Sequence, residues 1–414
     1  MPRSPLFIIF LTVFIDLLGF GIVLPLLPRY GEHFQATGVV LGLLMASYSA
    51  MQFLFAPLWG RLSDRIGRRP VLLVGLFGSM MFYFLFARIT QLGNIGPIYG
   101  LSPLVWLFVT RIGAGVAGAT IPTAQAYIAD VTDAANRGKG MTLIGIAFGV
   151  GFTFGPLIGA PFVPSEQSAA PSPAPGYVAA ALSAAAFLWA AVKLPESLKT
   201  ATRAARRPLW FDRTALQASL AQPYVGPILF AVFLTTFAFA QFETTLSLLT
   251  KHLGQSDQSN FFVFAYVGFI LLLAQGLLVR RLIWRVGEFW ISLCGVVLMT
   301  VGLVTLGWAS GQESMLLVYA VLPIAVVGFA ATTPALQALL SLNSAADEQG
   351  GILGVGQSMS ALARILGPAL ALPLQTWSLP LPYWVGAALM AVSCGLIASL
   401  YGAGRRTAPS KAQG

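Results

Sequence analysis

The sequence predicts an all-α membrane protein with twelve transmembrane helices in two pseudo-symmetric six-helix bundles. Composition is the first reason: 57% of the 414 residues are hydrophobic and 9% charged, against about a quarter charged in soluble domains. Mean hydropathy is +0.79. Spacing is the second. The apolar residues fall into blocks near 6–28, 37–59, 70–87, 103–128, 140–162, 176–194, 223–250, 259–279, 289–309, 314–340, 351–376 and 382–402. As helices these are long enough to cross a hydrocarbon core of about 30 Å, and lipid tolerates no open backbone. An internal repeat is the third. Sliding the chain by 212 residues places Ala119-Thr120 on Ala331-Thr332, Pro122 on Pro334, Gln125 on Gln337, Gly138 on Gly350 and Gly155-Pro156 on Gly367-Pro368. Duplicated bundles of this kind recur in secondary transporters.

The first block, Leu6 to Leu27, lacks a small-residue cleavage site and reads as a spanning helix. Gly60 to Pro70, between the second and third blocks, reads Gly-Arg-Leu-Ser-Asp-Arg-Ile-Gly-Arg-Arg-Pro, a dense charged turn. With the N-terminus inside, 19 of the 24 Lys and Arg residues fall in cytoplasmic segments, while Arg29, Arg88 and Lys251 fall outside. The positive-inside rule then puts both termini in the cytoplasm. The outer loop Val163 to Gly176, rich in Pro, Ser and Ala, is expected to be flexible. Pro195 to Pro223 is the longest polar stretch and divides the blocks six and six. The expected organisation is a bundle over 1–195, a cytoplasmic linker over 196–222 with room for a short amphipathic helix, a bundle over 223–403 and a tail over 404–414.

Several function classes fall away. The net charge of +10 sits in short loops, where topology accounts for it, so no nucleic-acid partner is implied. Cys294 and Cys394 stand alone in apolar blocks, which gives no disulfide, metal or nucleophile argument. His33 and His252 lie in outer loops. The sequence shows no phosphate-cradling loop, metal-ligand cluster or nucleophile triad. The expectation is a transporter, not an enzyme, that needs no cofactor or metal and runs on an ion gradient.

The charged turn resembles the signature loop of the major facilitator superfamily, and Arg111-x-x-x-Gly115 in the fourth block resembles its second motif. Gly151-x-x-x-Gly155-Pro156-x-x-Gly159 in the fifth block is similar to the superfamily's antiporter motif. With Phe14-Ile-Asp16, Ala50-Met-Gln52 and Phe55-Ala-Pro57, the first half resembles the tetracycline-efflux branch of drug:proton antiporters. The resemblance covers blocks one to five closely and the second half only through the repeat. It implies a monomer in the bacterial inner membrane that exports a hydrophobic or amphiphilic small molecule in exchange for protons, with lipid as its surroundings. A proton-linked lipid or amphiphile exporter is an alternative, as is a non-coupled metabolite or sugar facilitator.

Within the turn, Gly60, Asp64, Arg65, Gly67 and Arg68 form an expected conformational latch. The arginines alone would suffice for topology; Asp64 beside Arg65, followed by Gly67 in a tight turn, suggests more. The resemblance implies that Asp64 faces the N-terminal end of the eleventh block, where the helix dipole favours a carboxylate, and that Arg68 pairs with Asp130. The matching turn Arg280 to Glu288 has no aspartate before Val286-Gly287, so the latch is one-sided. Gly151, Gly155 and Gly159 at four-residue spacing allow close helix approach, and Pro156 bends the helix.

Four charged residues lie in the interior of blocks, away from their ends, where a charge costs about 3 kcal/mol even on insertion scales. Asp16 shares a polar face with Thr12 and Gly19; it is either structurally hydrogen-bonded or a carboxylate for which proton and substrate compete. Glu243 lies on a stripe with Thr236, Ala240 and Ser247, and is either a cavity residue or a mouth residue paired with Lys251. Arg364 shares a face with Gln357 and Ser360, and must pair with Asp16, Glu243 or an anionic substrate group. Arg111 shares a face with Gly115, Gly118, Pro122 and Gln125, and the resemblance implies a role in proton coupling. Tyr48, Gln52, Gln125 and Gln337 are neutral polar residues for the cavity, each equally able to bond between helices. Phe239, with Phe264 and Tyr266, is expected to supply apolar wall.

Overall fold

The computed structural model describes residues 5–132, 137–166, 169–198, 224–343 and 349–407. The amphipathic linker helix and the end of the tail fall outside these residues. The described chain is helical, and its only strand-like feature is an isolated bridge between Ile98 and Leu101. The first block is α1 (Pro5–Val23) and α2 (Leu27–His33), broken where Pro25 interrupts the backbone ladder. α3 (Gly38–Ile66) and α4 (Arg68–Gly93) follow. The fourth block is α5 (Pro103–Ala117) and α6 (Ile121–Val131), separated at Ala119, whose ψ of 15° leaves the helical range just before Pro122. Ser102 starts α5, its hydroxyl accepting from Leu104 N at 3.3 Å. α7 (Arg137–Gly159) and α8 (Ala174–Lys193) complete the first six blocks.

The second six are α9 (Val225–His252), α10 (Asp257–Leu273) with a π-helical turn over Ala274–Val279 and α11 (Arg280–Val286), α12 (Glu288–Ser310), α13 (Met315–Leu342), α14 (Gln349–Trp377) and α15 (Leu381–Thr407). Among the described residues 11 spans are long and apolar enough to cross a membrane, and α14 supplies the twelfth block. The breaks in the first, fourth and eighth blocks have no counterpart in the hydropathy pattern, because a kink changes backbone bonding without changing side-chain polarity.

The duplication is visible in the packing of each half. A Cβ built on Gly75 of α4 would come 2.9 Å from Ala117 O and 2.6 Å from Thr120 Cγ2. One built on Gly295 of α12 would come 2.9 Å from Gly328 O and 2.5 Å from Thr332 Oγ1. Thr120 and Thr332 are residues that the offset superposes. The charged turns match too: Gly67 (φ +106°) and Gly287 (φ +86°) each separate two helices in a conformation that only glycine adopts freely.

The chain sorts into two compact units. The first holds 1–211 together with Thr244–Leu272 and Pro368–Thr376; the second holds Asp212–Glu243, Leu273–Gly367 and the remainder from Trp377. The first unit therefore includes the end of α9, most of α10 and a piece of α14. Its apolar core has two parts, one around Tyr30, Phe86, Leu107 and Phe261 and one around Ile9, Leu76, Tyr127 and Ala190. The loop expected to be flexible is tied at Pro171 and Ser172, whose carbonyls accept from Asn94 Nδ2 at 2.8 Å and Tyr30 Oη at 2.7 Å.

Candidate functional site

The charged turn is built around Arg68, the first residue of α4, which is 7% exposed. Its Nη1 donates to Ser63 Oγ at 2.7 Å and binds the Asp64 carboxylate one turn back. Its Nε donates to Asp130 Oδ2 at 3.1 Å, joining the end of α6 to the turn. Arg68 thus ties three segments of the first unit through charge-assisted bonds. Arg65 is exposed. The N-terminal end of α14, expected opposite Asp64, begins beside residues 344–348, which lie outside the described chain.

Inside the first unit, Asp16 of α1 accepts from Ser183 Oγ of α8 at 3.2 Å and lies beside Ser79 of α4. Thr12 spends its hydroxyl on Ile8 O of its own helix at 2.8 Å. Asp16 therefore turns toward α4 and α8. Arg111 of α5 is buried at 3% exposure, with its guanidinium carbon 4.4 Å from the ring centre of Tyr48. Gln52 Nε2 donates to Tyr48 Oη and to Gly118 O, both at 3.2 Å, which fixes that ring. Gln125 is half-buried on α6.

In the second unit, Glu243 of α9 keeps Oε1 buried with no hydrogen-bond partner. Arg364 of α14 lies within electrostatic range of it, and the two form no ion pair. Arg364 and Gln357 are exposed and Ser360 half-buried. Lys251 Nζ meets Glu32 Oε2 at 2.5 Å within the first unit, to which the last two turns of α9 belong. Phe239 stacks on Phe329 with ring centres 3.6 Å apart, Gln337 is half-buried on α13, and Phe264 is buried at 4% exposure.

The glycines of α7 lie against α1. A Cβ on Gly151 would come 3.1 Å from Leu17 Cβ, and one on Gly155 2.8 Å from the carbonyl carbon of Gly21. Gly159 faces Phe261, its Cβ position 2.8 Å from the ring. This interface has no room for a side chain.

Comparison with known proteins accords with this geometry. The family model of the Major Facilitator Superfamily matches residues 9–368. The chain belongs to the major facilitator superfamily. It is 32% identical over 405 residues to the class C tetracycline resistance protein of Escherichia coli, covering 94% of this chain and 95% of that one. It is 29% identical over 406 residues to multidrug resistance protein 2 of Bacillus subtilis (strain 168), covering 95% and 94%. Among solved structures it is similar to the human organic anion transporter MFSD10 (TETRAN), at TM-score 0.70 and 25% identity, covering 96% of this chain and 99% of that one. This superfamily member is a membrane transporter, as its relatives are, and not an enzyme.

Two clusters of the transporter escaped the sequence reading. Glu196, in the first residues of the linker, accepts Arg68 N at 2.9 Å on Oε1 and Arg69 N at 3.2 Å on Oε2, capping α4. Ser197 Oγ donates to Asp130 Oδ2 at 2.9 Å. At the opposite end of the first unit, Arg29 is 4% exposed rather than lying free in an outer loop. It donates to Asp257 Oδ1 at 2.8 Å, Gln255 O at 3.0 Å, Thr250 Oγ1 at 2.9 Å and Ser247 O at 3.3 Å. Pro25 O, freed by the α1–α2 break, accepts from Ser247 Oγ at 2.7 Å and Asn260 Nδ2 at 3.0 Å. The available signals were a Pro-Glu-Ser run directly after the sixth block and a Pro inside the first.

Proposed function

We propose that this transporter exports a hydrophobic or amphiphilic small molecule across the bacterial inner membrane in exchange for protons, as a monomer working by alternating access. The observation that carries the reading is the pair of carboxylates inside spanning helices, Asp16 and Glu243, neither ion-paired among the described residues. A membrane-buried carboxylate is costly to keep charged. Without a fixed cation it can alternate between charged and neutral forms as a proton arrives and leaves. Arg364 beside Glu243 would gain or lose its electrostatic partner with that proton. The names of the tetracycline and multidrug relatives support an amphiphilic cargo. Tyr48, Gln52, Gln125, Phe239, Gln337, Gln357 and Ser360 would contact it.

The positive-inside rule supports cytoplasmic termini. In that orientation the Asp64–Arg68–Asp130 cluster is a cytoplasmic latch, and the Arg29 network and the α7 glycines keep the outer side shut. Proteoliposomes loaded with a pH-sensitive dye test the reading, with tetracycline and ethidium as probes. Export should move protons the opposite way, and Asp16→Asn or Glu243→Gln should uncouple it. Probe export without any pH change would leave a facilitator, and accumulation of labelled phospholipid in one leaflet would favour a lipid exporter.

A further inference from the structure

We infer that Arg111 forms an anion subsite in the first unit that takes the carboxylate of an aromatic organic acid. An arginine does not deprotonate in a protein, so its charge is permanent. Arg111 carries that charge at 3% exposure, with Nε buried and without a hydrogen-bond partner. The carboxylates that form ion pairs in the first unit hold other cations: Glu32 meets Lys251, Asp64 and Asp130 hold Arg68, and Asp257 holds Arg29. Asp16 accepts from Ser183 Oγ and forms no ion pair with Arg111. A buried cation left in this way needs a counter-charge, and among the described residues the chain provides none that bonds it.

The surroundings fit an aromatic acid. One face of the guanidinium lies over the Tyr48 ring, a favourable cation–π contact, and the unpartnered donor Nε lies on the guanidinium's edge. A guanidinium edge matches a carboxylate with two parallel bonds. Tyr48 is held by Gln52 and by the close approach of α5, where a Cβ on Gly115 would come 3.0 Å from Tyr48 Cα. Tyr83 of α4, 4% exposed, lies in electrostatic range of Arg111. The Tyr48 ring against the cation favours a flat, conjugated acid over an aliphatic one. The assignment names the cargo class of the exporter proposed above and rests on that reading for its part in transport, but binding to the purified protein tests it separately.

The experiment is thermal unfolding of the purified full chain in a neutral detergent, titrated with 2-naphthoate, with the uncharged 2-naphthamide and with potassium chloride. 2-Naphthoate should raise Tm and the amide and chloride should not. Arg111→Met should weaken naphthoate binding about tenfold or more without lowering the ligand-free Tm, since it removes an uncompensated charge. Arg364→Met should leave the response unchanged. No naphthoate shift in the parent, an equal shift with the amide or with chloride, or a shift that survives Arg111→Met would each overturn the assignment. If Arg111→Met does not fold, Arg111→Gln replaces it; failure of both to fold overturns the assignment, because an uncompensated cation cannot be what holds the unit together. An Arg111-dependent shift without proton exchange in liposomes would leave the subsite standing and remove the antiport reading; the converse result would do the opposite.

Discussion

Asp257→Asn removes one charge from the Arg29 network while keeping the shape of the side chain. Arg29 would be left 4% exposed with three neutral acceptors, Ser247 O, Gln255 O and Thr250 Oγ1. Removing one member of a buried ion pair costs about 3–5 kcal/mol. The surviving bonds and the 20% exposure of the Asp257 side chain argue for the lower figure. About 3 kcal/mol corresponds to about a hundredfold rise in the population in which the end of α9 and the start of α10 leave α1 and α2. Ala160 offers a reporter, since it is 2% exposed and its carbonyl accepts from Gln258 Nε2 at 3.4 Å. With Cys294 and Cys394 replaced by Ser, an Ala160→Cys chain should react slowly with a membrane-impermeant maleimide, and adding Asp257→Asn should speed labelling by about two orders of magnitude. Rates within threefold of each other would refute the idea that this ion pair holds the end of the unit closed.

Gly67→Ala should lower Tm, because φ is +106° and the new Cβ would overlap the Glu196 carboxylate; the backbone part alone is worth about 1–3 kcal/mol, and a variant as stable as the parent contradicts this account of the turn. Asp64→Asn should reduce transport in liposomes while folding and ligand binding persist; loss of binding itself would count against a latch. Gly155→Val should force α7 from α1, whose Gly21 backbone lies 2.8 Å from the added Cβ position, at about 1–3 kcal/mol. Its readout is passive proton leak into liposomes, which should rise.

The twelve blocks and the superfamily were legible because lipid imposes a long apolar run on every span and the charged turn concentrates distinctive residues in a short stretch. Partners across the fold were less so. Arg68, Asp64 and Asp130 come together as a set, and the charged turn with its motif carried the signal. Glu196 was opaque because it acts through backbone N–H groups, which leave no mark in a side-chain pattern. Arg29 was read as a loop cation because one charge near a block end looks the same whether it is solvated or buried; only the break at Pro25 and the approach of Asp257 decide. Asp16 shows the limit of helical spacing. Its stripe with Thr12 and Gly19 is real, and the neighbours that the stripe meets include Ser183 and Tyr83, which spacing alone does not name.

Three helices change unit in mid-course: α9 between Glu243 and Thr244, the α10 run between Leu272 and Leu273, and α14 between Gly367 and Pro368, with a return at its last residue, Trp377. Helices bend where the backbone ladder is interrupted. The α10 run meets its π-helical turn at Ala274, and Pro368 removes a donor from α14. The repeat gives Gly155-Pro156 in α7 the same pair of residues, yet α7 stays within the first unit, locked to Gly21 of α1. Duplication thus supplied one Gly-Pro step that serves tight packing and one that lies where a helix passes from unit to unit. The crossing in α9 has no proline or π turn; it has Glu243, with one carboxylate oxygen buried and unbonded. In the antiport proposed above, a proton gained or lost there would change the charge within α9 itself, at the residue where its assignment passes from the second unit to the first.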